Sequence, residues 1–244
     1  MSLKDAHVLI IGGGSGIGYA VAEVALGQGA RVTIASSNAE RTAEAAKTLG
    51  AGATGLQLDV TDEAAVEAFF AASSPLDHIV FTAGDWGARQ RGPQALESLD
   101  LAQAADGFKV RFWGALAVAK HGARVLADGG SLTLTNGTVA HRPQKGAPVS
   151  TAMAGSLEHL TRALAVDMAP LRVNCVCPGF IRTAVWDALI PENQNEIFKA
   201  ITRRQAIPRP GEPSEAAQAY LYLMQAGYTT GQVIQVEGGS LLHQ

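Results

Sequence analysis

The residues with the plainest chemistry lie near the start, where His7-Val8-Leu9-Ile10-Ile11 runs into Gly12-Gly13-Gly14-Ser15-Gly16-Ile17-Gly18 and then Tyr19-Ala20-Val21-Ala22. An apolar run, a glycine turn and a helical pattern in that order make a pyrophosphate cradle. The glycines let the backbone approach the phosphates, and the helix aims its unpaired N–H groups and positive dipole end at the same charge. Gly12, Gly14, Ser15, Gly16, Ile17 and Gly18 are therefore assigned to a dinucleotide. A carboxylate about 20 positions further on would hold a ribose 2′-hydroxyl and repel a 2′-phosphate. The second strand instead ends Ile34-Ala35-Ser36-Ser37-Asn38. The hydroxyls of Ser36 and Ser37 and the guanidinium of Arg41 can face a phosphate, which favours NADP(H) over NAD(H).

The elements that must position these residues show as short apolar runs at 7–11, 31–35, 53–58, 77–81, 130–135, 171–176 and 232–236, separated by helical segments. This alternation predicts an α/β fold: a Rossmann-like, doubly wound parallel sheet of seven strands with helices on both faces and ligands at the strands' carboxyl ends. The 244 residues are expected to form a single domain over 1–244. The longest irregular stretch, between Pro178 and Glu212, holds Trp186, Pro191 and Ile207-Pro208-Arg209-Pro210-Gly211 and reads as a lid-like segment over about 180–212.

Composition excludes several partners. A net charge of -3 without a basic run argues against nucleic acid, and no apolar run is long enough for a bilayer. The chain enters a strand almost at once, leaving no room for a signal peptide, so a cytoplasmic protein with a small-molecule ligand is expected. Cys175 and Cys177 are two apart on one strand face, badly placed to bridge each other, and the spacing of His and Cys suggests no metal site.

The chain resembles the short-chain dehydrogenase/reductase family over nearly its whole length. The resemblance rests on ordered landmarks: the glycine turn, Asp59-Val60, Ala83-Gly84, Arg172-Val173-Asn174 leading to Pro178-Gly179, Thr183, Thr230-Gly231-Gln232 and Val236-Glu237-Gly238-Gly239. It implies that Asp59 accepts a hydrogen bond from the adenine amino group beside the Val60 backbone, and that Ala83 and Gly84 let the ribose pack closely. Pro178, Gly179, Ile181 and Thr183 would hold the nicotinamide carboxamide and diphosphate. For Asp59, a helix cap shared with Thr61 is the structural alternative. Ile11 stands where the family usually has threonine, and Phe81-Thr82 where it has two asparagines, which softens the expected polar bracing between the first and fourth strands. Relatives pair through two long helices, here about 99 to 127 and 147 to 168, so a homodimer or homotetramer is expected.

The family couples hydride transfer to a proton passed by a tyrosine whose pKa is lowered by a lysine four residues on. Here Tyr19, Tyr220, Tyr222 and Tyr228 are followed four residues later by Glu23, Met224, Ala226 and Gln232. The resemblance places Ser150 at the tyrosine position, Ala154 at the lysine, Gly137 at the orienting serine and Arg111 at the supporting asparagine. A serine hydroxyl is a far poorer acid than a tuned tyrosine, and losing positioned acid–base help costs about 10²- to 10⁴-fold. Arg111 and Ser150 are the remaining candidates for catalysis, Arg111 by reaching toward the space Ala154 opens to bind ribose hydroxyls or a substrate anion. His141, Arg142 and Lys145 lie in the loop before Ser150. The smaller side chains widen one wall unless Trp86 or Trp186 fills it, which suits a bulky apolar or anionic ligand, and Trp113 reads as ordinary packing. Three functions stay open: an oxidoreductase with a reorganised site, a catalytically silent NADP(H)-binding protein acting as sensor or partner subunit, and an enzyme without redox chemistry.

Overall fold

The structure, a computed structural model, describes residues 2–84, 95–184, 186 and 194–242. The apolar runs become strands β1 (His7–Ile11), β2 (Arg31–Ser36), β3 (Ala53–Gln57), β4 (Leu76–Phe81), β5 (Leu126–Thr135), β6 (Arg172–Pro178) and β7 (Val233–Val236). All pair in parallel in the order β3-β2-β1-β4-β5-β6-β7. The helices are α1 (Gly16–Gly27), α2 (Ala39–Leu49), α3 (Glu63–Ala71), α4 (Leu101–Phe108), α5 (Ala115–Gly122), α6 (Pro148–Asp167), α7 (Gln194–Thr202) and α8 (Pro213–Gln225). This is the doubly wound sheet that the sequence predicts. The strand order reverses between β1 and β4, which opens a crevice at their carboxyl ends.

Period-two alternation sorts the core into two layers. Leu9 and Ile11 face Phe70, Val118 and Leu157 on one side of the sheet, while Val8 and Ile10 face Val21, Tyr220 and Leu223 on the other. Burying each such side chain stabilises the fold by about 1.5–3 kcal/mol. Side chains also fix the helix ends. Asn38 and Asp62 accept from the backbone of Arg41 at 2.8 Å and of Ala65 at 3.1 Å, capping α2 and α3. At the other end of α8, buried Arg172 donates to the carbonyls of Leu223, Met224 and Ala226 at 2.6, 2.9 and 3.0 Å. Asn174 accepts from Gln232 N at 3.0 Å and donates to Thr229 O at 2.8 Å. The Arg172-Val173-Asn174 landmark thus ties down the C-terminal segment.

Three features differ from the sequence expectation. β5 begins at Leu126, pairs with Leu76, and resumes in register at Ser131 opposite His78 after an irregularity near Gly129, whose φ is +77°. The helix expected to reach about 127 therefore stops at Gly122, and Lys109–Gly114 form a wider π-type turn between α4 and α5. The stretch read as irregular contains α7, an amphipathic helix that buries Phe198 and Thr202. Trp113, expected to pack, is 58% exposed. Among the described residues no helix is long and apolar enough to cross a membrane.

Candidate functional site

The crevice at the β1/β4 switch is a cleft of about 590 Å³. Its walls include Gly12, Gly14, Ser15, Gly16, Ile17, Gly18, Ser36, Ser37, Arg41, Asp59, Val60, Ala83, Gly84, Pro178 and Thr183, the greater part of the predicted cofactor set. Gly179 and Ile181 line the adjoining cavity instead. Gly12 has φ +96°, and a Cβ there would meet Ala83 N at 2.5 Å and Thr82 Oγ1 at 2.6 Å. A Cβ on Gly18 would strike the Gly12 carbonyl, so these glycines join α1, β1 and β4 as well as open the cradle. α1 has no acidic residue in its first turn, leaving its positive end available to a diphosphate. The bracing expected to be soft is supplied by one carbonyl: Ile11 O accepts from Thr82 N, Ala83 N and Thr82 Oγ1 at 2.8, 3.0 and 3.2 Å.

The adenosine end is mixed. Arg41 lies against Gly14, where a Cβ would be 3.6 Å from its Cδ and 3.7 Å from Ser36 Oγ. The Ser36 hydroxyl is engaged with Thr42 Oγ1 at 2.6 Å, so the Arg41 guanidinium and exposed Ser37 are the freer groups. Asp59 Oδ1 accepts from Thr61 N at 2.9 Å and Thr61 Oγ1 at 2.7 Å, a local turn, while Asp62 does the capping of α3.

The positions that the family resemblance marks for catalysis differ in their surroundings. Arg111 sits in the π-type turn, 4% exposed, with Nη1 3.5 Å from Thr135 O, and its guanidinium lies directly over Gly84, where any Cβ would collide with it. π-type turns recur at functional sites because they re-aim one side chain within a helix, and nothing in the sequence pattern marks this one. Ser150 is half-buried and lines neither the cleft nor the cavity, while Ala154 is fully buried. Tyr220 lies wholly inside the core with its hydroxyl on Thr135 Oγ1 at 2.7 Å, and burial raises its pKa, so it presents no acid to a ligand. Among the described residues, no tyrosine and no lysine lines either space.

The adjoining cavity, about 700 Å³, meets the cleft at Ile17, Pro178 and Thr183. Trp186 forms part of its wall, its ring tilted at 46° against Phe180 with centroids 4.4 Å apart and Nε1 donating to Ile181 O at 2.8 Å. Trp86 lies outside the described residues. Of the charged loop residues, Arg142 lines this cavity, Lys145 a separate groove, and His141 turns inward. His141 Nε2 and Asn136 Nδ2 meet one oxygen of buried Glu158, at 2.6 and 2.7 Å. Both residues flank the Gly137-Thr138 wall of the cavity, so Glu158 anchors that wall. Sequence reasoning missed Asn136 and Glu158; the position of Asn136 beside Gly137 is the one available signal, because Glu158 is 22 residues away. Cys177 joins this cluster, with the ligand atoms of His141, Glu158 and Cys177 within 4.8 Å of one another, a juxtaposition the spacing of His and Cys does not reveal. Burial pushes the Cys177 thiol up to about 12, which keeps it neutral, and the Glu158 oxygen is already an acceptor for two groups. The cluster therefore reads as a hydrogen-bond anchor.

A glycine cradle at the switch point of an all-parallel sheet defines a dinucleotide-binding α/β protein. The family model described as Enoyl-(Acyl carrier protein) reductase matches residues 12–240. The chain is 34% identical to the short-chain dehydrogenase/reductase malC of Malbranchea aurantiaca, covering 98% of this chain and 96% of that protein. It is also 34% identical to a galactitol 2-dehydrogenase (L-tagatose-forming) of Cereibacter sphaeroides, over 97% and 95% of the two chains. Among solved structures, the MalC Reductase/Diels-Alderase superposes with a TM-score of 0.91 at 33% identity, covering 99% and 98%. A small-chain dehydrogenase in complex with NADPH gives 0.84 at 31% identity, covering 98% and 100%. The chain belongs to the short-chain dehydrogenase/reductase family.

Proposed function

We propose that this protein is an NADP(H)-dependent oxidoreductase that works through a reorganised site in which Arg111, rather than a tyrosine–lysine pair, faces the reacting groups. The observation that carries the reading is the Arg111 guanidinium over Gly84 in the wall of a cleft that no described tyrosine or lysine lines. NADPH suits this cleft: Gly12 and Gly18 let β1, β4 and α1 close together around the glycine turn, α1 offers its N-terminus, and the Arg41 guanidinium in the cleft wall can pair with a 2′-phosphate. The NADPH-bound relative supports the same choice of cofactor.

When bound, NADPH supplies a hydride. Arg111 binds and orients, through ribose hydroxyls or a substrate anion, and a guanidinium that stays protonated cannot donate a proton at neutral pH. The acceptor should therefore need little proton assistance. An iminium carbon takes the hydride, its C=N electron pair moves to nitrogen, and a neutral amine results without any acid. An activated double bond is the next best candidate. Self-association belongs to the same reading, because the α4–α5 and α6 surfaces leave Leu101, Trp113 and Val166 exposed at 75, 58 and 76%.

Titrating NADPH and NADH against the protein tests the cofactor, with tighter binding of NADPH expected. Oxidation of NADPH by a cyclic iminium should then exceed oxidation by a ketone of equal size. Arg111→Ala should lower the iminium rate about 10²-fold, the scale of losing the positioning of hydride donor against acceptor. NADPH binding without turnover on either substrate would favour a silent binding protein. Absence of nicotinamide binding would sink the redox reading altogether.

A further inference from the structure

We infer that the substrate carries an anionic group on its end remote from the reacting carbon, and that Arg142, Arg203 and Arg204 hold it. The inference deepens the proposed oxidoreductase reading and rests on it for the position of the reacting end. The cavity beside the cleft has apolar walls, including Ile17, Val139, Phe180, Ile181, Trp186 and Ile201, and three guanidinium side chains. Among its described lining residues there is no Asp or Glu. In a chain of net charge -3, this is a local reversal of sign.

Three arginines elsewhere have carboxylate partners: Arg182 with Glu212 at 3.4 Å, Arg209 with Glu215 at 2.7 Å and Arg162 with Glu158 at 3.8 Å. Arg203 and Arg204 form no such pair among the described residues. Arg142 is steadied by one bond from Nη1 to Ser240 O at 2.7 Å, and a guanidinium has five donors, so the rest of its fork remains for a ligand. All three arginines line the cavity but not the cofactor cleft, whereas Ile17, Pro178 and Thr183 line both. A ligand with its reacting carbon at that junction would lay its body along the apolar wall and its charge among the arginines. Concave sites of one sign concentrate potential, and guanidinium groups recognise carboxylate, sulfonate or phosphate oxygens through paired hydrogen bonds.

The test uses two fluorescent probes of one shape, 1-anilinonaphthalene-8-sulfonate and the uncharged N-phenyl-1-naphthylamine, titrated against the full chain at saturating NADPH. Arg203→Gln/Arg204→Gln should weaken the sulfonate about tenfold or more, equivalent to about 1.4 kcal/mol, and leave the neutral probe unchanged. Arg142→Gln should do the same more weakly, and added salt should reduce only sulfonate binding. Equal loss of both probes, or a sulfonate affinity insensitive to all three substitutions, overturns the proposal. NADPH binding is read in the same samples. Its failure overturns the cofactor reading, while the probe comparison, which needs no turnover, still decides the anion site.

Discussion

The cofactor cleft and the substrate-side cavity share Ile17, Pro178 and Thr183, yet they are made of different material. The cleft is largely backbone: at Gly12, Gly18 and Gly84 a single methyl group would run into a neighbouring strand, turn or guanidinium. The cavity is made of side chains from the 136–144 loop, the 178–186 segment, the end of α7 and Ser240. A site made of backbone admits few sequences and identifies the family. One made of side chains can change its chemistry while the fold stays put.

The sharpest way to break that contrast is Gly12→Ala. The new Cβ would sit at a φ of +96° and within 2.5 Å of Ala83 N. Backbone strain and overpacking together should cost about 2–4 kcal/mol. For a chain of this size that lowers Tm by roughly 4–16 °C, and NADPH binding should be lost with it. Exchanging Arg203 for glutamine in the cavity should move stability by no more than about 0.5 kcal/mol. If differential scanning calorimetry found the two substitutions equally mild, the distinction between backbone and side-chain sites would fail.

The same distinction explains what was legible in the sequence. Strand positions, the parallel sheet and the glycine turn follow from local signals: apolar runs and glycine at φ-sensitive turns. Arg111 could be singled out as the odd residue at its position, but the π-type turn that buries it depends on packing against Gly84 and Thr135, which no local pattern encodes. Glu158 was invisible because its partners Asn136 and His141 come from another segment and meet it only when α6 docks on β5. The start of β5 at Leu126 was missed because the preceding helix was expected to run to about 127, whereas the strand begins there and carries an irregularity opposite β4.

Acid should attack what the two regions have in common. His78 on β4, 5% exposed with Nδ1 2.8 Å from Ser131 Oγ, has its pKa lowered to about 4 by burial and then by the charge of Arg172. Folded His78 therefore stays neutral at a pH where the unfolded chain takes up a proton. Stability is complete above about pH 6.5 and is lost progressively as pH falls toward 4, by up to about 3 kcal/mol. Chemical denaturation across that window should show the slope, and His78→Gln should flatten it. NADPH and probe binding should fail together, and survival of one alone would show that cleft and cavity do not share a cooperative floor.

Glu158→Gln should separate the regions. Two donors, Asn136 Nδ2 and His141 Nε2, lose a charged acceptor, at a cost of about 1–3 kcal/mol. The Gly137-Thr138 wall should loosen, so the sulfonate probe binds more weakly while the NADPH dissociation constant stays within about twofold, a change of about 0.4 kcal/mol. An equal loss of NADPH affinity would mean that the anchor supports the cleft as well.

Gly84→Ala should have the most local effect on function. The glycine does not occupy a positive-φ conformation, so alanine is tolerated by the backbone, but its methyl group must displace the Arg111 guanidinium. NADPH-dependent turnover should fall as it does in Arg111→Ala, and combining the two should add little. A double-mutant cycle on turnover should give a coupling of about 2–3 kcal/mol, close to the whole of one single loss, as for side chains in direct contact. Additive losses would mean that Gly84 and Arg111 act separately, and the guanidinium would then owe its position to the π-type turn alone. Strong coupling would make the cleft's backbone responsible for aiming the Arg111 side chain, joining the two kinds of site at a single glycine.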